Sequence, residues 1–116
     1  MRKAIFSLAV FAALLSGCEW ANLPANGTPG GVSPESLQRL RACESGDNYG
    51  AVSRSGAYRG AYQFSRATWN GVAQRWAPWL VGTDPAVASQ VDQDNMAAAL
   101  FSERGRTPWP ICGRRL

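Results

Sequence analysis

Three segments of the chain space apolar residues three and four positions apart, which is the repeat of one face of an α-helix. The first segment combines Leu37 and Leu40 with Glu44, the second runs from Trp69 to Trp76, and the third runs from Gln93 to Phe101. The intervening stretches are rich in glycine, proline and small polar residues. We therefore predict three helices joined by ordered loops.

Local signals place the ends of these helices. A serine precedes each helix as an N-cap, and a glycine or proline follows it. These boundary residues are Ser33 and Gly46, Ser65 and Pro78, and Ser89 and Gly105. Between the first two helices, short β-prone segments flank Arg54-Ser55-Gly56, which indicates a small hairpin or ordered loop. The expected fold class is α+β, mostly α with a minor β-hairpin.

The amino-terminal segment has the pattern of an export signal. Arg2 and Lys3 precede an apolar run whose length suits a signal peptide and is too short to span a bilayer. Leu15-Ser16-Gly17-Cys18 resembles a bacterial lipobox, in which the cysteine is lipidated and becomes the new N-terminus. An export signal with an incidental cysteine is the alternative. We expect residues 1–17 to form a signal peptide with a lipobox, 18–33 a flexible linker, and 34–116 one domain.

Glu44 takes the place of the next core residue on the first predicted helix. It also lies in the last turn, where the helix dipole opposes a negative charge. Partial burial and this dipole both raise the pKa of a carboxyl group, in the direction that a general acid near neutral pH requires. A solvated glutamate at a helix end is the alternative interpretation.

Three motifs occur in order around and after this glutamate. They are Cys-Glu-Ser-Gly at 43–46, Gly-x-x-Gln-Phe-Ser-x-x-Thr-Trp at 60–69, and Gly-x-x-x-Trp-Pro-x-Cys-Gly at 105–113. Together they resemble the resuscitation-promoting factor, or transglycosylase-like, domain family, from about Leu37 to Gly113. The resemblance implies a small lysozyme-like fold and a catalytic domain that cleaves peptidoglycan.

The resemblance implies that Glu44 is the catalytic acid for the β-1,4 bond between N-acetylmuramic acid and N-acetylglucosamine. Glycosidases normally add a second carboxylate, but Asp47 stands where the family usually has glycine, and we assign it no role. A lytic transglycosylase route, with Glu44 as acid and then base, follows naturally, and hydrolysis by a muramidase-like enzyme stays open. A catalytically silent peptidoglycan-binding or signalling module, acting through a partner hydrolase, is the alternative function.

Several polar and aromatic residues are candidates for sugar binding. Gln63 and Gln93 match family positions that line the cleft, so the resemblance implies hydrogen bonds from both to the substrate. A helix-entry cap is the alternative for Gln63. The other candidates are Tyr49 and Tyr58, whose rings can stack on sugars or be partly buried, Tyr62, where the family often has leucine, and Ser53, in place of a family threonine.

The chain has three cysteines, and an odd number in an exported protein needs an explanation. Lipidation of Cys18 would leave Cys43 and Cys112, which flank the proposed domain. A disulfide between them closes a loop of roughly 70 residues and contributes on the order of 4 kcal/mol. Because the chain has no histidine and only scattered carboxylates, we expect no metal site and no cofactor.

The charge balance narrows the choice of partners. The net charge is +4, and loss of Arg2 and Lys3 leaves ten basic against eight acidic residues, or +2. The remaining basic residues are scattered arginines, so nucleic-acid binding is not expected. We expect peptidoglycan glycan strands as the partner, the membrane through a lipid on Cys18, and a wall peptidase as a further candidate. The expected protein is an exported monomer anchored at the cell membrane facing the wall, or a secreted one.

Overall fold

The computed structural model describes residues 31–116. Its α-helices are α1 (Pro34–Ser45), α2 (Arg66–Trp76) and α3 (Gln90–Arg104), and 3₁₀ turns span Pro78–Leu80 and Cys112–Arg115. The mostly helical architecture expected from the sequence is confirmed. The predicted signal peptide, Cys18 and the linker as far as residue 30 lie outside the described residues. None of the helices within residues 31–116 has the length and apolar character that a membrane crossing requires.

Helix α1 begins and ends where the sequence predicts. The Ser33 hydroxyl accepts a hydrogen bond from the backbone N–H of Ser36 at 3.1 Å, as an N-cap does. Gly46 follows the helix with a φ of 66°, a left-handed conformation that glycine adopts without strain. Glu44 therefore lies in the final turn of α1, beside the chain reversal that ends the helix.

Helices α2 and α3 have equivalent serine caps. The Ser65 hydroxyl accepts from the N–H of Thr68 at 3.1 Å, and the Ser89 hydroxyl accepts from the N–H of Asp92 at 3.1 Å. Gly105 follows α3 with a φ of 61°. Both predicted helix starts and the predicted end of α3 are confirmed.

The core lies where α2 and the loop before it pack against α3. Trp69 is fully buried, its indole N–H donates to the carbonyl of Leu80 at 3.0 Å, and the ring of Phe64 meets it edge-on at a centroid distance of 5.2 Å. Helix α3 is buried over much of its circumference, at Gln93, Met96, Ala97, Ala98, Ala99 and Leu100. Small side chains on α3 thus allow its neighbours to approach closely.

The expected hairpin is present as two isolated antiparallel bridges, Val52 with Arg59 and Arg59 with Phe64. Arg59 pairs in both directions because the chain reverses again immediately after it. Gly60 and Gln63 both have positive φ, 86° and 53°, which an extended strand does not tolerate. The ladder therefore stops after one residue pair on each side.

An ion pair fixes this loop to the turn before α3. Arg59 donates from Nε to Oδ1 of Asp84 and from Nη2 to Oδ2, each at 2.7 Å. This hydrogen bond from Arg59 is the largest cause that lowers the pKa of Asp84 to about 2. A bidentate pair of this kind sets orientation as well as distance.

A disulfide joins Cys43 in α1 to Cys112 at the start of the last 3₁₀ turn, with their Cα atoms 5.7 Å apart. The predicted pairing is present in the structure. Nearby, Arg39 Nε donates to the carbonyl of Arg115 at 2.9 Å. The carboxyl-terminal segment is thereby held against the helix that carries Glu44.

Candidate active site

Glu44 is half-buried on the wall of a cavity of about 350 Å³, which Tyr58, Gln63, Trp109 and Ile111 also line. Its carboxylate has no hydrogen-bond or ion-pair partner within residues 31–116. Burial raises its pKa above the ordinary value of 4.5. Charged oxygens lose solvation on burial and here gain no partner in return, so the protonated form is favoured.

No second acid stands across from Glu44 among the described residues that line this cavity. Asp47 follows the helix with a φ of 63°, and its carboxylate accepts from Arg41 Nε at 2.6 Å. The ion pair turns the Asp47 side chain back along α1. The site therefore has the chemistry of one carboxylic acid that can donate a proton and then take one back.

A second cavity, of about 210 Å³, adjoins the first and shares four lining residues with it: Tyr58, Gln63, Pro108 and Trp109. We call the two cavities together the groove, the one with Glu44 its acid lobe and the other its second lobe. The second lobe is lined further by Ser65, Thr68, Arg104 and Thr107. An elongated, mixed polar and aromatic groove of this kind suits a chain of sugars.

Gln63 and Tyr58 lie where sugar-binding residues are expected. Gln63 is partly exposed and donates one amide hydrogen to the carbonyl of Gly60 at 3.0 Å, which leaves its oxygen and second hydrogen for a ligand. Tyr58 is 52% exposed, so its ring is open to the groove. Both residues line both lobes.

Gln93 does not reach the groove, which corrects the expectation of a direct sugar contact. It is 1% exposed, and all its polar groups are used inside the protein. Its Oε1 accepts from the N–H of Ala61 at 2.8 Å, and its Nε2 donates to the carbonyls of Tyr49 at 3.1 Å and Ala88 at 3.0 Å. Gln93 is thus a clamp that holds the loop carrying Gln63 against α3.

Gly60 is required for this clamp. It adopts a φ of 86°, and a Cβ atom there would lie 2.7 Å from Oε1 of Gln93 and 3.0 Å from the carbonyl oxygen of Pro85. The backbone can therefore approach the Gln93 amide only when no side chain intervenes.

Tyr62 and Tyr49 are likewise turned away from a substrate. Tyr62 is fully buried beneath the second lobe, and Tyr49 is on the wall of neither lobe. Their hydroxyls donate to the same oxygen of Asp94, at 2.5 Å and 2.8 Å. Burial and these bonds raise the pKa of both hydroxyls. The expectation that they bind sugar is corrected, because the Tyr62 ring is buried and the Tyr49 ring is on the wall of neither lobe.

Arg41 completes this cluster and, with Asp94, lines a separate cavity between α1 and α3. Its guanidinium lies over the rings of Tyr49 and Tyr62, at 5.3 Å and 5.9 Å from their centroids. It also contacts Oδ1 of Asp94 at 3.2 Å. Arg41, Asp47 and Asp94 therefore bind α1 to α3 and to the loop that follows Glu44.

Ser53 shapes the loop and is on the wall of neither lobe. Its hydroxyl accepts from the backbone N–H of Tyr58 at 3.1 Å. It thus positions the segment that presents the Tyr58 ring. Ile111, which the sequence analysis overlooked, is 76% exposed on the wall of the acid lobe. The sequence offers one signal, an isoleucine between Pro110 and Cys112 outside every predicted helix.

This chain is similar to a known protein family and to several known proteins. A family model described as "Transglycosylase-like domain" matches residues 33–112. The resuscitation-promoting factor RpfC of Mycobacterium tuberculosis is 39% identical over 83 residues, which cover 72% of this chain and 53% of RpfC. The probable transglycosylase SceD of Staphylococcus haemolyticus is 34% identical over 73 residues, which cover 63% of this chain and 30% of SceD.

A third relative, the resuscitation-promoting factor RpfA of Mycobacterium tuberculosis, is 33% identical over 80 residues, or 67% of this chain and 18% of RpfA. The chain thus spans about half the length of RpfC and less of the other two. The family match agrees with the small lysozyme-like, mostly α fold expected from the sequence.

Proposed function

Because the chain belongs to the transglycosylase-like domain family, we propose that it cleaves peptidoglycan at the β-1,4 bond between N-acetylmuramic acid and N-acetylglucosamine. The observation that carries the proposal is Glu44, a half-buried carboxyl group without a partner in residues 31–116 and with a raised pKa, on the wall of a groove. Glu44 acts as the general acid. The raised pKa keeps a larger fraction of this acid protonated near neutral pH.

A single carboxylate favours an intramolecular route. Glu44 protonates the bridging oxygen as the bond from that oxygen to the anomeric carbon of the muramyl sugar breaks. The 6-hydroxyl of the same sugar then attacks the anomeric carbon and returns its proton to Glu44. The product is a 1,6-anhydro sugar, and Glu44 ends as it began. Glycosidases that use water normally have a second carboxylate to activate it or to form the intermediate, and the acid lobe supplies none from the described residues.

The groove walls supply the binding interactions in this proposal. Tyr58 and Ile111, which are 52% and 76% exposed, present ring and aliphatic surface that fits the faces of pyranose rings. The free amide groups of Gln63 bind hydroxyl or acetamido groups and so orient the bond toward Glu44. Gln93, Tyr62, Tyr49 and Ser53 act indirectly, because they hold the loop that carries Tyr58 and Gln63.

The test of this function is the product. Purified sacculi incubated with the protein should release soluble muropeptides, and mass spectrometry should find them lighter than hydrolysed fragments by one water. Release of hydrolysed fragments would leave Glu44 as the acid but replace the 6-hydroxyl by water. Binding to sacculi without release would contradict the proposal and indicate a silent binding or signalling module.

The proposed site of action is outside the cytoplasm. The apolar segment before Cys18 and the lipobox resemblance support export and anchoring by a lipid on that cysteine. Two acyl chains give stable membrane attachment, which one chain does not. The intact mass of the membrane fraction should show the lipid, and a Cys18→Ser chain should lack it. A lipid-free protein in the medium would contradict anchoring and leave the enzymatic proposal standing.

A further inference from the structure

The second lobe of the groove contains one charged side chain among its described lining residues, Arg104. Among the described residues that line the acid lobe, the one charged side chain is Glu44. The groove is therefore polarised, with a carboxyl group in one lobe and a guanidinium group in the other. Between them lie residues without charge, including Gln63 and Trp109.

Arg104 has no carboxylate partner within residues 31–116, unlike four other arginines of the fold. Arg41 pairs with Asp47 and Asp94, Arg59 and Arg66 pair with Asp84, and Arg75 pairs with Glu103. Glu103, the neighbour of Arg104 in the chain, is fully engaged, since Arg75 and the indole N–H of Trp76 donate to its oxygens at 2.6–3.1 Å. No carboxylate within residues 31–116 lies at ion-pair distance from Arg104.

The backbone around Arg104 is fixed. It is the last residue of α3, and the hydroxyl of Thr107 donates to its carbonyl oxygen at 2.8 Å. This bond holds the turn after the helix, so that Arg104 and Thr107 line the same lobe. An exposed guanidinium on a fixed backbone is suited to bidentate binding of a carboxylate.

We propose that the second lobe is a subsite for a carboxylate carried by the muramyl sugars of the substrate, with Arg104 as its ligand. The inference rests on the proposed function, because it takes a peptidoglycan strand as the substrate. In such a strand, carboxylates occur only on alternate sugars. N-acetylglucosamine is neutral, whereas N-acetylmuramic acid bears a lactyl group that ends in a carboxylate or in an acidic peptide. Recognition of this group sets which sugar faces Glu44, and so which of the two alternating bonds is cleaved.

The test is a binding comparison on the Glu44→Gln chain, which cannot consume the ligand. Calorimetry should compare three oligosaccharides of equal length: a neutral N-acetylglucosamine oligomer, a peptide-free muramyl oligomer with free lactyl carboxylates, and a muramyl oligomer with its peptides. At least one acidic oligomer should bind roughly threefold to tenfold more tightly than the neutral one. A preference for the peptide-free oligomer identifies the lactyl carboxylate, and one for the peptide-bearing oligomer alone identifies a peptide carboxylate.

Adding Arg104→Gln should abolish this preference, and added salt should weaken it in the parent. Arg106→Gln is the matched control, because Arg106 is exposed, two residues away and on the wall of neither lobe; it should keep the preference. Equal binding of all three oligomers, no binding of any, or equal losses in both variants would overturn the subsite. A preference that survives Arg104→Gln would also overturn it and would leave Arg104 serving only the dipole of α3.

Muropeptide release by the unsubstituted chain is measured in parallel. Absence of release contradicts the proposed function, whereas release without a preference for acidic oligomers contradicts the subsite alone.

Discussion

Glu44 can be tested by a change of one atom in its side chain. Glu44→Gln keeps volume and polarity but removes the proton that the general acid must give. We expect release of muropeptides from purified sacculi to fall by more than about a hundredfold, while circular dichroism shows an unchanged fold. Wild-type release by this variant would remove Glu44 from the mechanism.

Asp47→Asn is the control for that experiment, because its carboxylate lies three residues from Glu44 but is bound to Arg41 at 2.6 Å. Loss of a partly exposed ion pair costs at most about 1 kcal/mol of folding free energy, which leaves a typical domain folded, so release should fall far less than for Glu44→Gln. A loss as large as that of Glu44→Gln would mean that two carboxylates take part.

The raised pKa of Glu44 also has a consequence for stability. A carboxyl group whose pKa is higher in the folded protein stabilises it fully below the unfolded-state pKa, near 4.5, and this contribution is lost as pH rises through the folded-state pKa. Glu44→Gln removes the ionisable group, so the variant does not lose this stability as the pH rises. Thermal melts should therefore find the variant more stable than wild type at about pH 8, with the difference shrinking toward about pH 4. A difference that grows at acid pH would contradict the burial argument.

At the scale of elements, Gln93 joins α3 to the loop that presents Gln63. Gln93→Leu fills the same space but leaves the N–H of Ala61 and two carbonyls without partners. We expect a loss of at least about 3 kcal/mol in the free energy of unfolding, measured in urea, because three polar groups lose their partner and each costs about 1–3 kcal/mol. Cleavage of sacculi should also fall.

Gln90→Leu is the matched control, since Gln90 is exposed at the start of the same helix and should change stability by less than about 0.5 kcal/mol. Similar losses from both substitutions would show that the effect comes from the helix and not from the clamp.

The helices were predictable because their signals are local. A serine cap, the apolar spacing and a terminating glycine lie within one segment each, and they placed Glu44 in its turn. The roles of Gln93 and Tyr62 were not predictable in this way. For each residue, the partner that turns its polar end inward lies 32 residues away in the chain, Ala61 for Gln93 and Asp94 for Tyr62. The shortening of the hairpin to single bridges depends likewise on the two positive φ values after Arg59.

At the scale of the whole molecule, the Cys43–Cys112 disulfide closes nearly the entire described domain, with a separation of 69 residues. We expect the Cys43→Ala, Cys112→Ala chain to lose about 4 kcal/mol in the free energy of unfolding, a large share of the roughly 5–15 kcal/mol of a typical domain. Urea unfolding with and without a reducing agent measures this. The reductant should destabilise wild type and leave the variant unchanged; equal curves for all samples would contradict a stabilising bond.

The disulfide also determines when, after synthesis, the acid lobe is complete. Cys43 directly precedes Glu44, and Cys112 lines the acid lobe, so the disulfide joins two walls of the proposed active site. Thiols stay reduced where polypeptides are made in the cytoplasm, and disulfides persist only in oxidising surroundings. A newly made chain would thus carry Glu44 in an acid lobe whose two walls are not yet joined by the disulfide. If the proposed export and cleavage hold, cleavage would begin only after the two sulfur atoms are oxidised outside the cytoplasm.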